Sequence, residues 1–110
     1  MNSYQITVIL PVYNSQNFIS ETLNSLLTQS YSNFKVILIN DGSNDSTGSI
    51  LEKIKDPRVN YINLKKNMGV AFCRNLGVRK SKSKYVCFLD SDDLFKKKKL
   101  EDQIFFYGRK

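Results

Sequence analysis

The sequence contains no histidine. That excludes a Ser-His-Asp or Cys-His nucleophile within the chain, because both need an imidazole as the base. Cysteine is scarce, with only Cys73 and Cys87. Two thiols without an imidazole make a poor zinc site. One lies in a helix-like stretch and the other in an apolar strand, so both are expected to be small buried hydrophobes. Long hydrophobic runs are missing too. The longest, Tyr85 to Leu89, has five residues, whereas a membrane-spanning helix needs about 20. The opening stretch, MNSYQITVILPVYN, has no basic segment ahead of its apolar part and is not expected to be a signal peptide. A reduced, cytoplasmic protein is the expectation. No internal repeat is present, and the one low-complexity tract is Lys96 to Lys99.

What is present suits a folded domain. The 110 residues are 41% apolar and 12% aromatic, enough for a single domain over 1–110 with a real core. Net charge is +7, and residues from Arg79 onward carry +5 of it. Such a surface favours phosphates, nucleic acid or anionic lipid. Nucleic acid is the weakest of these, because the clustered aromatics and basic stripe of nucleic-acid modules are lacking. Lys96 to Lys99 read either as a solvated helix start or, with Arg109 and Lys110, as a peripheral contact with an anionic inner membrane face.

Strand-like and helix-like stretches alternate. Gln5 to Leu10 is rich in β-branched residues and is expected to end at Pro11. Ile19, Leu23, Leu26 and Leu27 recur at helical spacing, with Ser15 or Asn17 as the expected cap. Phe34 to Asn40 is a second strand. Asp45 or Ser46 can cap a helix carrying Ile50, Leu51 and Ile54, which stops before Pro57. Arg58 to Leu64 is a third strand, Val70 to Lys80 a helix, and Lys84 to Leu89 a fourth strand. A last helix is expected from about Lys96. The alternation predicts βαβ units and an open, mostly parallel α/β sheet with helices on both faces.

In such sheets ligands bind beyond the carboxyl ends of the strands. Each of those ends is polar here. Pro11, Tyr13 and Asn14 follow the first, and Asp41, Gly42, Ser43 and Asp45 follow the second. Asn67, Gly69, Arg74 and Asn75 follow the third, and Asp90, Asp92 and Asp93 the fourth. Three carboxylates this close in sequence are expected to repel one another. A hard divalent cation, Mg²⁺ or Mn²⁺, bound with a diphosphate would relieve the repulsion. Asp41 can accept from a base or ribose, Tyr13 offers a stacking face, and Arg74 can meet phosphate. Taken singly, each feature has a plainer explanation: a turn, a cap, a rim aromatic or a solvated arginine. Their order and shared edge favour a pocket for a metal-bound nucleoside diphosphate.

Other nucleotide folds fit less well. No G-x-G-x-x-G follows the first strand, and no G-x-x-x-x-G-K-[ST] is present. A phosphoaspartyl phosphatase or receiver domain would need a carboxylate after the first strand, where Pro11, Tyr13 and Asn14 stand instead.

Four segments, ITVILPVYN, VILINDGSNDST, NMGVAFCRNLG and YVCFLDSDD, closely resemble the N-terminal, nucleotide-binding part of family 2 glycosyltransferases of the GT-A fold. The resemblance runs from about Gln5 to about Phe106. It implies a Rossmann-like GT-A domain cut after the D-x-D-D motif. It also implies transfer of a sugar, with inversion, from a nucleotide-sugar donor to an acceptor hydroxyl. By that resemblance Pro11 and Tyr13 line the base pocket, with Asn14 beside them, and Asp41 hydrogen-bonds the base, commonly uracil. Arg74 lies near the nucleotide, Asp90 supports the site, Asp92 touches ribose or metal, and Asp92 or Asp93 ligates the metal. The acceptor is a saccharide or lipid-linked saccharide of the kind found in polysaccharide or glycolipid synthesis. Cys73 stands where the family usually has a smaller residue, and tolerated packing is expected there. The acceptor half and the catalytic base are expected beyond Lys110, leaving no catalytic residue in this chain. A different class of function, a non-catalytic nucleotide-binding module, would use the same pocket.

Overall fold

The computed structural model describes residues 6–91. The last helix expected from Lys96, the lysine run, Asp92 and Asp93 all lie outside the described residues. Four strands, β1 (Ile6–Val12), β2 (Phe34–Asp41), β3 (Val59–Leu64) and β4 (Tyr85–Phe88), alternate with three helices, α1 (Ile19–Leu27), α2 (Thr47–Glu52) and α3 (Val70–Lys80). The sheet order is β3-β2-β1-β4. Every pairing is parallel, so the described sheet is all-parallel rather than mostly so.

Strand alternation divides the core between the two faces. Val8, Leu10 and Val12 of β1 and Val36 and Leu38 of β2 share one cluster with Ile19, Leu23 and Leu26 of α1 and Leu51 of α2. Ile9, Ile37 and Ile39 point the other way and meet Cys73 of α3. The helices therefore cover both faces, which explains why the central strands are apolar at successive positions. Gly77 lets α3 approach closely, because a Cβ there would run into the Ile9 side chain. Burying a side chain such as Leu26 stabilises by roughly 1.5–3 kcal/mol relative to leaving it exposed.

Two local expectations need correction. β1 does not end before Pro11 but continues to Val12. In a parallel strand the peptide groups of alternate residues face alternate neighbours. The Ile9 carbonyl accepts from Leu89 on the β4 side, so the missing Pro11 N–H faces that side too. β4 pairing stops at the Ile9–Phe88 register. No ladder bond is lost, and proline is tolerated. The second correction concerns α1, which has no side-chain cap. Ser15 serves it through its backbone carbonyl, which accepts from the Phe18 and Ile19 amides. At α2 the cap position is Ser46, which makes no side-chain cap bond; the Asp45 carboxylate one residue earlier accepts the Thr47 amide at 2.8 Å.

Candidate functional site

The carboxyl ends of all four strands meet at one edge. A cavity of about 370 Å³ opens there, lined by Pro11, Val12, Tyr13, Asp41, Asn67, Gly69, Val70, Asp90 and Ser91. That volume falls in the range of about 300–1,000 Å³ usual for ligand sites.

Asp41 is the most constrained of these residues. It is only 3% exposed. Its Oδ1 accepts the Met68 amide at 2.7 Å. Its Oδ2 accepts the Gly69 amide at 3.0 Å and Asn67 Nδ2 at 3.1 Å. Asn67 Nδ2 also donates to the Asp41 carbonyl at 3.1 Å. The carboxylate thus sits at the start of α3, where the positive end of the helix favours an anion. A carboxylate offers about four lone-pair sites, and three backbone and amide donors already use most of them. Cys73 packs beneath. Burial, with Asp41 adjacent, pushes its thiol up to about 12.

Gly42 makes the close approach of the two loops possible. Its φ is 71°, and a Cβ there would strike the backbone of Lys66 and Asn67. Asn14 has φ 46°, a left-handed conformation that asparagine tolerates better than most residues. Its amide donates to Ser43 Oγ at 2.9 Å, and its Oδ1 accepts the Asn44 amide at 2.9 Å. Asn14 therefore clasps the β1–α1 loop to the β2–α2 loop and does not line the cavity.

Tyr13 projects with 46% of its surface exposed. Across the opening, Arg74 Nη2 donates to Asp90 Oδ1 at 3.2 Å. The Arg74 guanidinium also lies over the Phe88 ring, 5.5 Å from its centroid. Its Nε is buried with no acceptor among the described residues. Pro11, Tyr13, Asp41 and Asp90 are thus brought together in the cavity wall, Arg74 flanks it through Asp90, and Asn14 braces it from outside. Asp92 and Asp93 fall outside the described residues. Among the described residues no three His, Cys, Asp or Glu side chains converge on a metal-sized space.

The expected site residues omitted Val12, Val70 and Ser91, which line the same wall. Val12 and Val70 carry no chemistry that a motif search would notice. Ser91 stood in plain view as the residue between Asp90 and Asp92.

The sequence profile described as glycosyl transferase family 2 matches residues 7–109. A UDP-Glc:alpha-D-GlcNAc-diphosphoundecaprenol beta-1,3-glucosyltransferase, WfaP of Escherichia coli, is 38% identical over 101 residues, covering 92% of this chain and 40% of WfaP. The crystal structure of S. aureus TarS residues 1–349 in complex with UDP-GlcNAc superposes with a TM-score of 0.85 at 35% identity, over 93% of this chain and 30% of that one. A mannosyltransferase from Pyrobaculum calidifontis, in complex with GDP-Man and Mn²⁺, gives a TM-score of 0.75 at 27% identity, over 83% of this chain and 28% of that one. The chain spans 13–43% of the length of the curated relatives it matches.

Proposed function

Because the chain belongs to the glycosyl transferase family 2, we propose that it forms the donor-binding part of an inverting, metal-dependent glycosyltransferase. The donor is a nucleoside-diphosphate sugar, with a uridine base. The acceptor is a hydroxyl of a saccharide or lipid-linked saccharide. One observation carries this reading: Tyr13, Asp41, Asn67 with Gly69, and Asp90 with Ser91, from the ends of four different strands, line a single cavity. The TarS complex with UDP-GlcNAc and the WfaP name, with its UDP-Glc donor and diphosphoundecaprenol acceptor, support the donor and acceptor classes.

Each side chain has an assigned task. Tyr13 stacks on the base with its exposed face. Asp41 accepts the base N–H, and the geometry its loop fixes rejects a base lacking that hydrogen. Arg74, beside the cavity through its 3.2 Å contact with Asp90, supplies positive charge near the anionic end of the donor. The donor set of the acidic corner is all carboxylate oxygen, which fits Mg²⁺ or Mn²⁺. Asp92 and Asp93 would hold the cation, with Asp90 supporting. When bound, the cation supplies Lewis-acid stabilisation of charge on the departing diphosphate. We assign the acceptor site and the general base to the part of the relatives' length that this chain does not span.

Isothermal titration of the 110-residue chain with UDP, with and without Mn²⁺, tests this. Binding is expected, strengthened by Mn²⁺, and the strengthening should vanish in Asp92→Asn/Asp93→Asn. Absence of heat from UDP with Mn²⁺ would sink the reading.

A further inference from the structure

A hydroxyl chain behind the cavity wall has no counterpart in the donor-binding roles above. Ser15 and Thr22 are buried polar residues of the β1–α1 loop and α1. Neither lines the cavity. Ser15 Oγ donates to the Tyr13 carbonyl at 3.0 Å. It also lies 2.7 Å from Ser91 Oγ. A hydroxyl has one hydrogen, so with the Tyr13 carbonyl taking it, the Ser91 hydroxyl must be the donor in that second bond. Thr22 Oγ1 donates to the Ser91 carbonyl at 2.7 Å. The Ser15 amide donates to Thr47 Oγ1 at 2.8 Å. Ser91 is thus gripped twice, through its hydroxyl and its carbonyl, by residues from the opposite end of the chain. Tyr13 is gripped by the same Ser15.

Tyr13 and Ser91 stand on different strand ends, β1 and β4. β4 pairing stops short of them, so no sheet hydrogen bond sets their separation. The hydroxyl chain supplies what the ladder does not. Its bonds are short and at least partly shielded from water, and the Ser15–Thr47 bond is buried, which makes them costly to break.

We propose that Ser15 and Thr22 are positioning residues that hold Asp90–Ser91 at a fixed distance from Tyr13, and so set the diphosphate end of the cavity. Thr22 is the cleaner probe, since it touches Ser91 and not Tyr13. The base end, built on Tyr13 and Asp41, does not depend on the Thr22 hydroxyl. The ligand part of this inference rests on the donor-binding reading, but the network itself does not.

The test uses the 110-residue chain as wild type, Thr22→Val and Thr22→Ser. Thr22→Val keeps the side-chain shape and loses the hydroxyl. It is expected to weaken UDP binding by about tenfold, the equivalent of one hydrogen bond to the wall. Uridine binding should stay within about twofold of wild type, and Thr22→Ser should restore UDP binding. A parallel fall in uridine and UDP affinity, or unchanged UDP affinity, overturns the proposal. Amide hydrogen exchange at Asp90 and Ser91 in the ligand-free protein is a second measurement. Faster exchange in Thr22→Val, recovered in Thr22→Ser, supports the network, and unchanged exchange overturns it. Should the wild type bind neither uridine nor UDP, the donor-binding reading fails, while the exchange result still decides the positioning role.

Discussion

Asp41 Oδ1 accepts the Met68 amide at 2.7 Å, joining the end of β2 to the start of α3 across 27 residues of chain. A residue expected to read a base is therefore also a structural clasp. Its two oxygens serve both neighbouring amides and the Asn67 side chain. Asp41→Asn would turn one oxygen into an NH₂ group that cannot accept. One amide of Met68 or Gly69 would lose its acceptor, at a cost of about 1–3 kcal/mol. We expect Asp41→Asn to lower Tm by several degrees and to remove uridine binding. A variant with wild-type Tm would show that the clasp contributes little.

Gly42→Ala should be more disruptive than a typical loop change. The φ of 71° is unfavourable for alanine, and its Cβ would collide with backbone atoms of Lys66 and Asn67. The left-handed conformation alone costs about 1–2 kcal/mol, and neither backbone can yield without moving the Asp41 clasp. Denaturant unfolding should show a loss above that figure. A loss below 0.5 kcal/mol, roughly the scatter of surface substitutions, would refute the tight loop approach.

Acid stability should depend on Asp56. Hydrogen bonds from the Arg58 side chain, through Nε at 3.0 Å and Nη2 at 2.8 Å, hold its carboxyl below the ordinary value of 3.8. Hydrogen bonding to Thr47 lowers Asp45 in the same direction. A depressed folded pKa means that the unfolded chain binds more protons in this window. The stabilisation is present above pH 3.8 and is lost as pH falls through the lower folded value. Asp56→Asn is expected to cost about 1 kcal/mol at neutral pH and to flatten the acid limb of the stability curve. An unaltered acid limb would contradict the pairing.

Cys73 should be chemically inert in the native protein. Its thiol is buried, and burial beside Asp41 pushes it up to about 12. The thiolate is the reactive species, so iodoacetamide at pH 8 should label Cys73 only after unfolding. Native labelling at the rate of a free thiol would place the side chain elsewhere. A raised folded pKa also means that stability falls as pH climbs from the ordinary thiol value of 9.0 toward about 12.

Much of this architecture is legible in residue order. α3 runs from Val70 to Lys80, as expected, because Gly69 and the turn before it punctuate the chain sharply. Both cysteines are buried, as their apolar settings suggested. Errors arose where a local rule met a distant partner. Ser15 has the chemistry of a helix cap, yet its hydroxyl is engaged by Tyr13 and Ser91. Pro11 has the chemistry of a strand stop, yet β4 ends early enough to tolerate it. Asn14 ties two loops together through partners 29 and 30 residues away, a contact that no local pattern announces.

The sequence by itself determined the alternation of strands and helices, the burial of both sheet faces and the polar character of every strand end. Those follow from short-range periodicity, because a side chain's face is fixed by its position within its own element. Tertiary structure alone decided which polar groups are taken and which stay open to a ligand. The Ser15–Ser91 bond spans 76 residues and the Asp41–Gly69 bond spans 28. A hydrogen bond needs its partners within about 3 Å, and no local pattern encodes a proximity that arises only when the sheet is assembled.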